Sequence, residues 1–176
     1  MLIPFRTRSL PTPGIDRRMK AAVYAKTHSG KVLQITEVES PIPKDSEVLI
    51  RVRAASVNPL DWRMKRRRPG VDVAGEVVAV GERVTQFKPG DTVFGAGRGA
   101  FAEFACASEK TLVPKPNNLT FEQAACVPVA GLTALQALRA SGGLQPGQKV
   151  LIPPDDRDRR LGKARPALGI LSGPVF

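Results

Sequence analysis

The side chains with which this chain could do chemistry are few and widely spaced. Its one histidine, His28, sits in the polar stretch KTHSGK between two apolar runs, where a turn is expected and no acid/base partner stands nearby. Its two cysteines, Cys106 and Cys126, lack CxxC spacing and lie in apolar text, so reduced, buried thiols are expected. So small a set of histidine and cysteine leaves little from which to build a metal centre, and none is expected. The sharpest charge cluster is Lys65, Arg66, Arg67 and Arg68. No aromatic residue interleaves it for base stacking, so it reads as a solvated loop. The net charge of +11, from 27 Lys and Arg against 16 Asp and Glu, brings nucleic acid and anionic membrane into consideration. Nucleic acid ranks last, because no recognition element accompanies the charge. No apolar run approaches the roughly 20 residues that cross a bilayer. No membrane role is expected, and the compartment is read as cytoplasmic.

The elements that must position these residues are mostly strands. From Met19 onward the segments KAAVYA, VLQITEVE, EVLIRVRAASV, DVAGEVVAV, DTVFGA and AFAEFACAS alternate or run in Val and Ile, separated by turns such as PIPKDS and FKPGD. Evenly spaced short strands predict a closed or nearly closed β-barrel. Gly75 inside DVAGEVVAV predicts a bulge or sharp bend. Strand character ends near LVPKP. Thr120, with Gln123 three residues on, predicts a capping box opening a short helix. The stretch VAGLTALQALRASGG then carries apolar residues at helical spacing, stopped by Gly142 and Gly143, and LQPGQKVLI leads into a short strand. The fold class expected is mainly β: a barrel with short helices, followed by the first helix and strand of an incomplete α/β domain.

These stretches in this order, MKAAVYA, VLIRVRAASVNPLDW, GVDVAGEVVAVGERVTQFKPGDTVFG, AFAEFACAS and GLTALQAL with GLQPGQKVLI, resemble the medium-chain dehydrogenase/reductase superfamily. The branch they most resemble is that of the zinc-independent quinone oxidoreductases. The resemblance covers roughly residues 19–152. It implies a GroES-like barrel over 19–128, the start of a Rossmann cofactor domain over 129–152, NADPH as cofactor and a small-molecule substrate in the cleft between the two domains. Zinc-dependent members place a cysteine where Asn58 stands and a histidine where Val71 stands, so no zinc is implied here. Asn58 would lie beside the nicotinamide end of the cofactor, where its amide can donate or accept. The alternative for Asn58 is an Asn-Pro turn capping the PLDW helix. Thr133, in GLTA, matches the family's threonine near the nicotinamide, with a hydroxyl bonded to its own preceding turn as the alternative. Asp61 and Asp72 are expected to be structural, and no catalytic residue is assigned.

The sequence leaves the family pattern at three places. Residues 1–18, rich in Arg, Ser, Thr and Pro, are expected to form a disordered extension, read as an upstream leader rather than a transit peptide. Only RRRP separates DWRMK from GVDVAG, where the family carries a longer loop, so a cut-back substrate pocket is expected. After Ile152 the family runs into a glycine-rich turn whose amides and following helix bind the pyrophosphate. Here Pro153, Pro154, Asp155 and Asp156 follow, which cannot form that nest of donors. Losing two or three such bonds weakens cofactor binding by about 10² to 10⁶-fold, so NADPH binding by this chain is expected to be weak or absent. Residues 153–176 are read as a disordered, non-family tail, as a truncation or frameshift would leave. Activity is therefore uncertain. A protein partner or second copy, taken up on exposed apolar helix surface, is the alternative to catalysis.

Overall fold

A computed structural model of the chain describes residues 17–140, apart from 29, 65 and 66. Expectations for the two ends, including the Gly142–Gly143 stop, the GQKVLI strand and the prolines that follow it, lie outside the described residues. The chain divides into two compact units, Met1–Thr133 and Ala134–Phe176; of the second, only the end of one helix is described.

The first unit is mainly β, as its sequence indicates. β1 (Arg18–Thr27) and β2 (Gly30–Glu39) form an antiparallel hairpin with His28 in its turn. β3 (Glu47–Ala54), β4 (Asp72–Val80), β5 (Thr92–Ala96), β6 (Phe104–Ser108) and β7 (Leu112–Pro114) make an antiparallel sheet in the order β6-β3-β4-β5-β7. The segment before β6 ties hairpin to sheet. Ala22 N–H donates to the Phe101 carbonyl at 2.8 Å, Glu103 N–H to Lys20 O at 3.1 Å and Val52 N–H to Glu103 O at 2.9 Å. The short helices α1 (Pro59–Arg63) and α2 (Phe121–Ala125) lie in the connections, and α3 (Pro128–Ala140) follows.

Period-2 alternation sorts the core into two layers. Val48 and Ile50 of β3 point to a cluster with Val73, Val77, Val93 and Leu112, while Leu49 between them points to Met19, Ala21, Val23 and Ala79. β6 divides in the same way, Ala105 and Ala107 to the first cluster, Phe104 and Cys106 to the second. A third, smaller cluster seats Ala124 and Ala125 of α2 on Ala74.

Two local devices match their sequence signals. Thr120 Oγ1 accepts from Gln123 N–H at 3.2 Å and Gln123 Oε1 accepts from Thr120 N–H at 3.0 Å, which completes the capping box. The register of β3 against β4 shifts between Val52 and Ala54, opposite Gly75 and Ala74, so the irregularity signalled by Gly75 is present.

Two sequence expectations are corrected. Cys106 is buried, but Cys126, just past α2, is exposed. In the basic run, Arg67 is exposed, whereas Arg68 is half-buried with its stem laid over Gly99. The following Pro69 and Gly70 are drawn into the barrel wall, where Gly70 O accepts from Gly99 N–H at 3.0 Å and Ala100 N–H at 3.1 Å. That pull carries Arg68 inward.

Candidate active site

The site is built on the VNPLDW turn and the first residue of β4. Pro59 suits the first position of α1, since its ring presets φ and the N–H it lacks would have no partner there. Asp61, third in the helix and buried, accepts from Asn58 N–H at 2.8 Å and from Gly70 N–H at 3.1 Å. One carboxylate thus closes the helix start and holds the chain that returns to β4. Asn58 takes the extended conformation of an N-cap, φ −122° and ψ 157°, and its backbone carbonyl accepts from Asp61 N–H at 3.0 Å.

The Asn58 side-chain nitrogen is turned the other way, while the side chain also faces the Asp61 backbone N–H in the capping box. Its Nδ2 donates to Ser56 Oγ at 3.0 Å and to Asp72 Oδ2 at 3.0 Å. Asp72 is fully buried, and Ser56 Oγ donates to the same carboxylate oxygen at 2.8 Å. Burying a carboxylate is costly unless donors surround it. The remaining donor comes from far along the chain: Val129 N–H lies 3.2 Å from Oδ1 and 3.3 Å from Oδ2.

This last contact explains how α3 begins. Val127, which precedes the helix, has no polar side chain to cap it, and Pro128 brings no N–H. The exposed backbone donor of the first turn is satisfied instead by Asp72, whose negative charge also suits the positive end of the helix. Thr133, one turn on and exposed, donates from Oγ1 to Val129 O at 2.6 Å, the back-bond foreseen as its alternative. A continuous hydrogen-bonded chain therefore runs from Asn58 through Asp72 and Val129 to Thr133. Ser56 was missed at the sequence level, where a lone serine after a strand carries no distinguishing signal.

A cleft of about 320 Å³ lies against α1, walled by Leu60, Met64, Arg68, Val71 and Arg98, with Cys106 at its lining. This is near the small end of ligand clefts, ~300–1,000 Å³. Val71 has no ligating atom, and no group of three or more His, Cys, Asp or Glu side chains that could hold a metal ion is found among the described residues. Arg98 pairs with Glu47 at 2.5 Å. Burial, with the Glu47 carboxylate adding to it and Arg98 and Arg68 opposing it, pushes the Cys106 thiol up to about 12. The thiol is therefore protonated at neutral pH. Alkylation at pH 7.5 is expected to modify Cys126 and spare Cys106, read by mass spectrometry of the digested protein. Because the folded thiol titrates above its ordinary 9.0, its share of stability is present below pH 9.0 and lost as the pH rises toward 12.

Residues 44–117 match the alcohol dehydrogenase GroES-like domain. The chain is 43% identical over 129 residues to the chloroplast envelope quinone oxidoreductase homolog of Arabidopsis thaliana, covering 64% of this chain and 39% of the relative. It is 41% identical over 150 residues to the quinone oxidoreductase of Sus scrofa, covering 78% and 46%. Among solved structures, mycobacterial Rv1454c complexed with NADPH superposes with a TM-score of 0.64 at 30% identity, over 73% of this chain and 43% of that one. The chain spans less than half the length of these curated relatives. Matching domain, relatives and fold agree: this chain belongs to the medium-chain dehydrogenase/reductase superfamily, among its quinone oxidoreductase-like members, and its strands form that family's GroES-like domain.

Proposed function

We propose that this chain carries the barrel half of an NAD(P)H-dependent oxidoreductase that passes hydride to a quinone or an activated alkene without zinc. The observation that supports this most is the hydrogen-bonded chain from Asn58 to Thr133, because both residues that the family places at the nicotinamide end hang from one buried carboxylate. Asn58 is half-buried there, and Thr133 is exposed and keeps lone pairs on its hydroxyl, so polar groups are present of the kind that suits the rim of a nicotinamide riboside. The bound cofactor would supply the hydride. The barrel's own residues hold and orient: Asp72 fixes Asn58 and the first turn of α3, while Leu60, Met64 and Val71 give the adjacent cleft an apolar wall. With Asn58 and Val71 at the positions of the zinc ligands, polarisation by a metal has no donors at this point, which suits acceptors already activated toward hydride.

NADPH titrated into the ¹⁵N-labelled chain tests the placement. Weak, millimolar-range binding is expected, with the largest shifts at Ser56, Asn58, Val129 and Thr133. Shifts confined to Arg17, Arg18 and Arg67, the basic groove outside the barrel, would sink it.

A second reading is a GroES-like module that binds a protein partner and does no chemistry. Val57, Trp62, Val127 and Leu132 are 80%, 57%, 40% and 56% exposed, which is unusual for large apolar side chains and supports an interaction surface. Monomeric behaviour at high concentration, with no hydrophobic-dye binding, would count against it.

A further inference from the structure

We propose that the cleft against α1 binds a small apolar molecule bearing a carboxylate, with the Arg68 guanidinium as its ion-pair partner. Only the identification of this ligand with the hydride acceptor rests on the function proposed above; its binding follows from the charges that face the cleft.

Two arginines line the cleft, and one of them has an acid of its own. Arg98 is held by Glu47 at 2.5 Å, whereas among the described residues no carboxylate pairs with Arg68. A half-buried guanidinium gives up part of its hydration, and without a partner that loss stays uncompensated. Its charge is felt inside the cleft. Arg68 and Arg98 both act on the Cys106 thiol at the lining, where they oppose Glu47.

The root of Arg68 is fixed. Pro69 is buried, and Gly70 N–H donates to Asp61 Oδ1 at 3.1 Å while the Gly70 carbonyl accepts from Gly99 and Ala100 N–H. The stem runs over Gly99, where an added β-carbon would stand 3.2 Å from Arg68 Cβ and 3.9 Å from its Nε. A glycine at this place leaves room for the stem, so part of the side chain's ordering precedes the ligand.

The rest of the cleft selects what accompanies the charge. Ile42, Leu60, Met64 and Val71 give an apolar wall, and a volume of about 320 Å³ suits a small molecule. Asp61, the one carboxylate among the described residues lining the cleft, is buried with its oxygens taken by Asn58 and Gly70 N–H. It therefore presents little surface to an anion. One unpaired guanidinium balances one negative charge, which favours a carboxylate over a phosphate. Its planar fork meets a carboxylate with two parallel N–H···O bonds, a fit that a neutral amide does not match.

The test titrates the full ¹⁵N-labelled chain with 3-phenylpropanoate and with its uncharged counterpart 3-phenylpropanamide, a pair alike in shape. The acid is expected to bind about tenfold more tightly, as a bond to a charged group implies, with the largest shifts at Gly70, Val71 and Gly99. Arg68→Gln is expected to bring acid and amide within about threefold of each other, and Arg68→Lys to keep part of the difference. Arg67→Gln, which removes the adjacent exposed charge, is expected to keep all of it. Equal binding of acid and amide by the wild type, or no binding of either, would overturn the proposal. So would an equal loss in Arg67→Gln and Arg68→Gln with shifts at Arg17 and Arg18, which would place the acid in the outer groove. Failure of hydride transfer beside a preference for the acid that depends on Arg68 would overturn the proposed reaction and leave this site standing.

Discussion

Gly75→Ala is expected to destabilise the barrel by about 3 kcal/mol or more, which shows as a drop of the order of 10–20 °C in Tm. A β-carbon there would stand 2.1 Å from the Arg51 carbonyl oxygen and 2.8 Å from Ile50 Cγ2. Backbone oxygen and a fully buried side chain are the two groups least able to move. Strands β3 and β4 are the centre of the sheet, so the strain cannot be relieved at an edge. Gly90→Ala is the informative control. Its φ of +95° penalises a side chain, but nothing lies within 4 Å of the added carbon, so only the conformational cost of about 1–2 kcal/mol is expected. Thermal melts of the two variants side by side separate steric clash from backbone preference.

Asp72→Ala is expected to cost about 4 kcal/mol, because three donors lose their acceptor at once in a site that water reaches poorly. The loss divides unevenly in space. Ser56 and Asn58 can turn toward solvent, since both are only half-buried. Val129 N–H has no substitute, as Val127 cannot cap it. The first turn of α3 is therefore expected to lose amide protection more than β3 or β4 do, when hydrogen exchange is compared between variant and wild type. Uniform loss of protection across the sheet would show that Asp72 supports the barrel as a whole and has no special tie to α3.

What could be read from the sequence follows how local each feature is. DVAGEVVAV became a strand with the same limits, because alternation is written into consecutive residues. The Thr120–Gln123 box and the Asn-Pro helix start are likewise contained within three or four positions. Asp72 could be read as a structural carboxylate, but its partners could not be named. Val129 lies 57 residues away and contributes a backbone N–H, which every non-proline residue carries. Glu109 is hidden for the same reason: buried, it accepts from Thr85 and Gln86 N–H at 3.0 and 3.3 Å, across 24 and 23 residues. Cys126 misled because apolar neighbours in sequence do not fix which side of a helix end faces water. Arg68 misled because a run of like charge hides the one member that the backbone draws inward.

The family resemblance supplied Asn58 and Thr133, and the structure changes what each can do. Asn58 serves both as N-cap and as the arm reaching Asp72. Thr133 is back-bonded, yet this leaves its oxygen available as an acceptor. For each residue the structure shows the local role posed as its alternative, the helix cap and the back-bond, while the role at the nicotinamide is the proposal.

The most direct test of the central claim joins residues 1–152 to the cofactor domain of a quinone oxidoreductase relative and follows NADPH oxidation with a benzoquinone acceptor. Turnover well above that of either part alone is expected, falling about tenfold or more on Asn58→Leu. A chimera that folds and binds NADPH, yet passes hydride to neither a quinone nor an activated alkene, would contradict it.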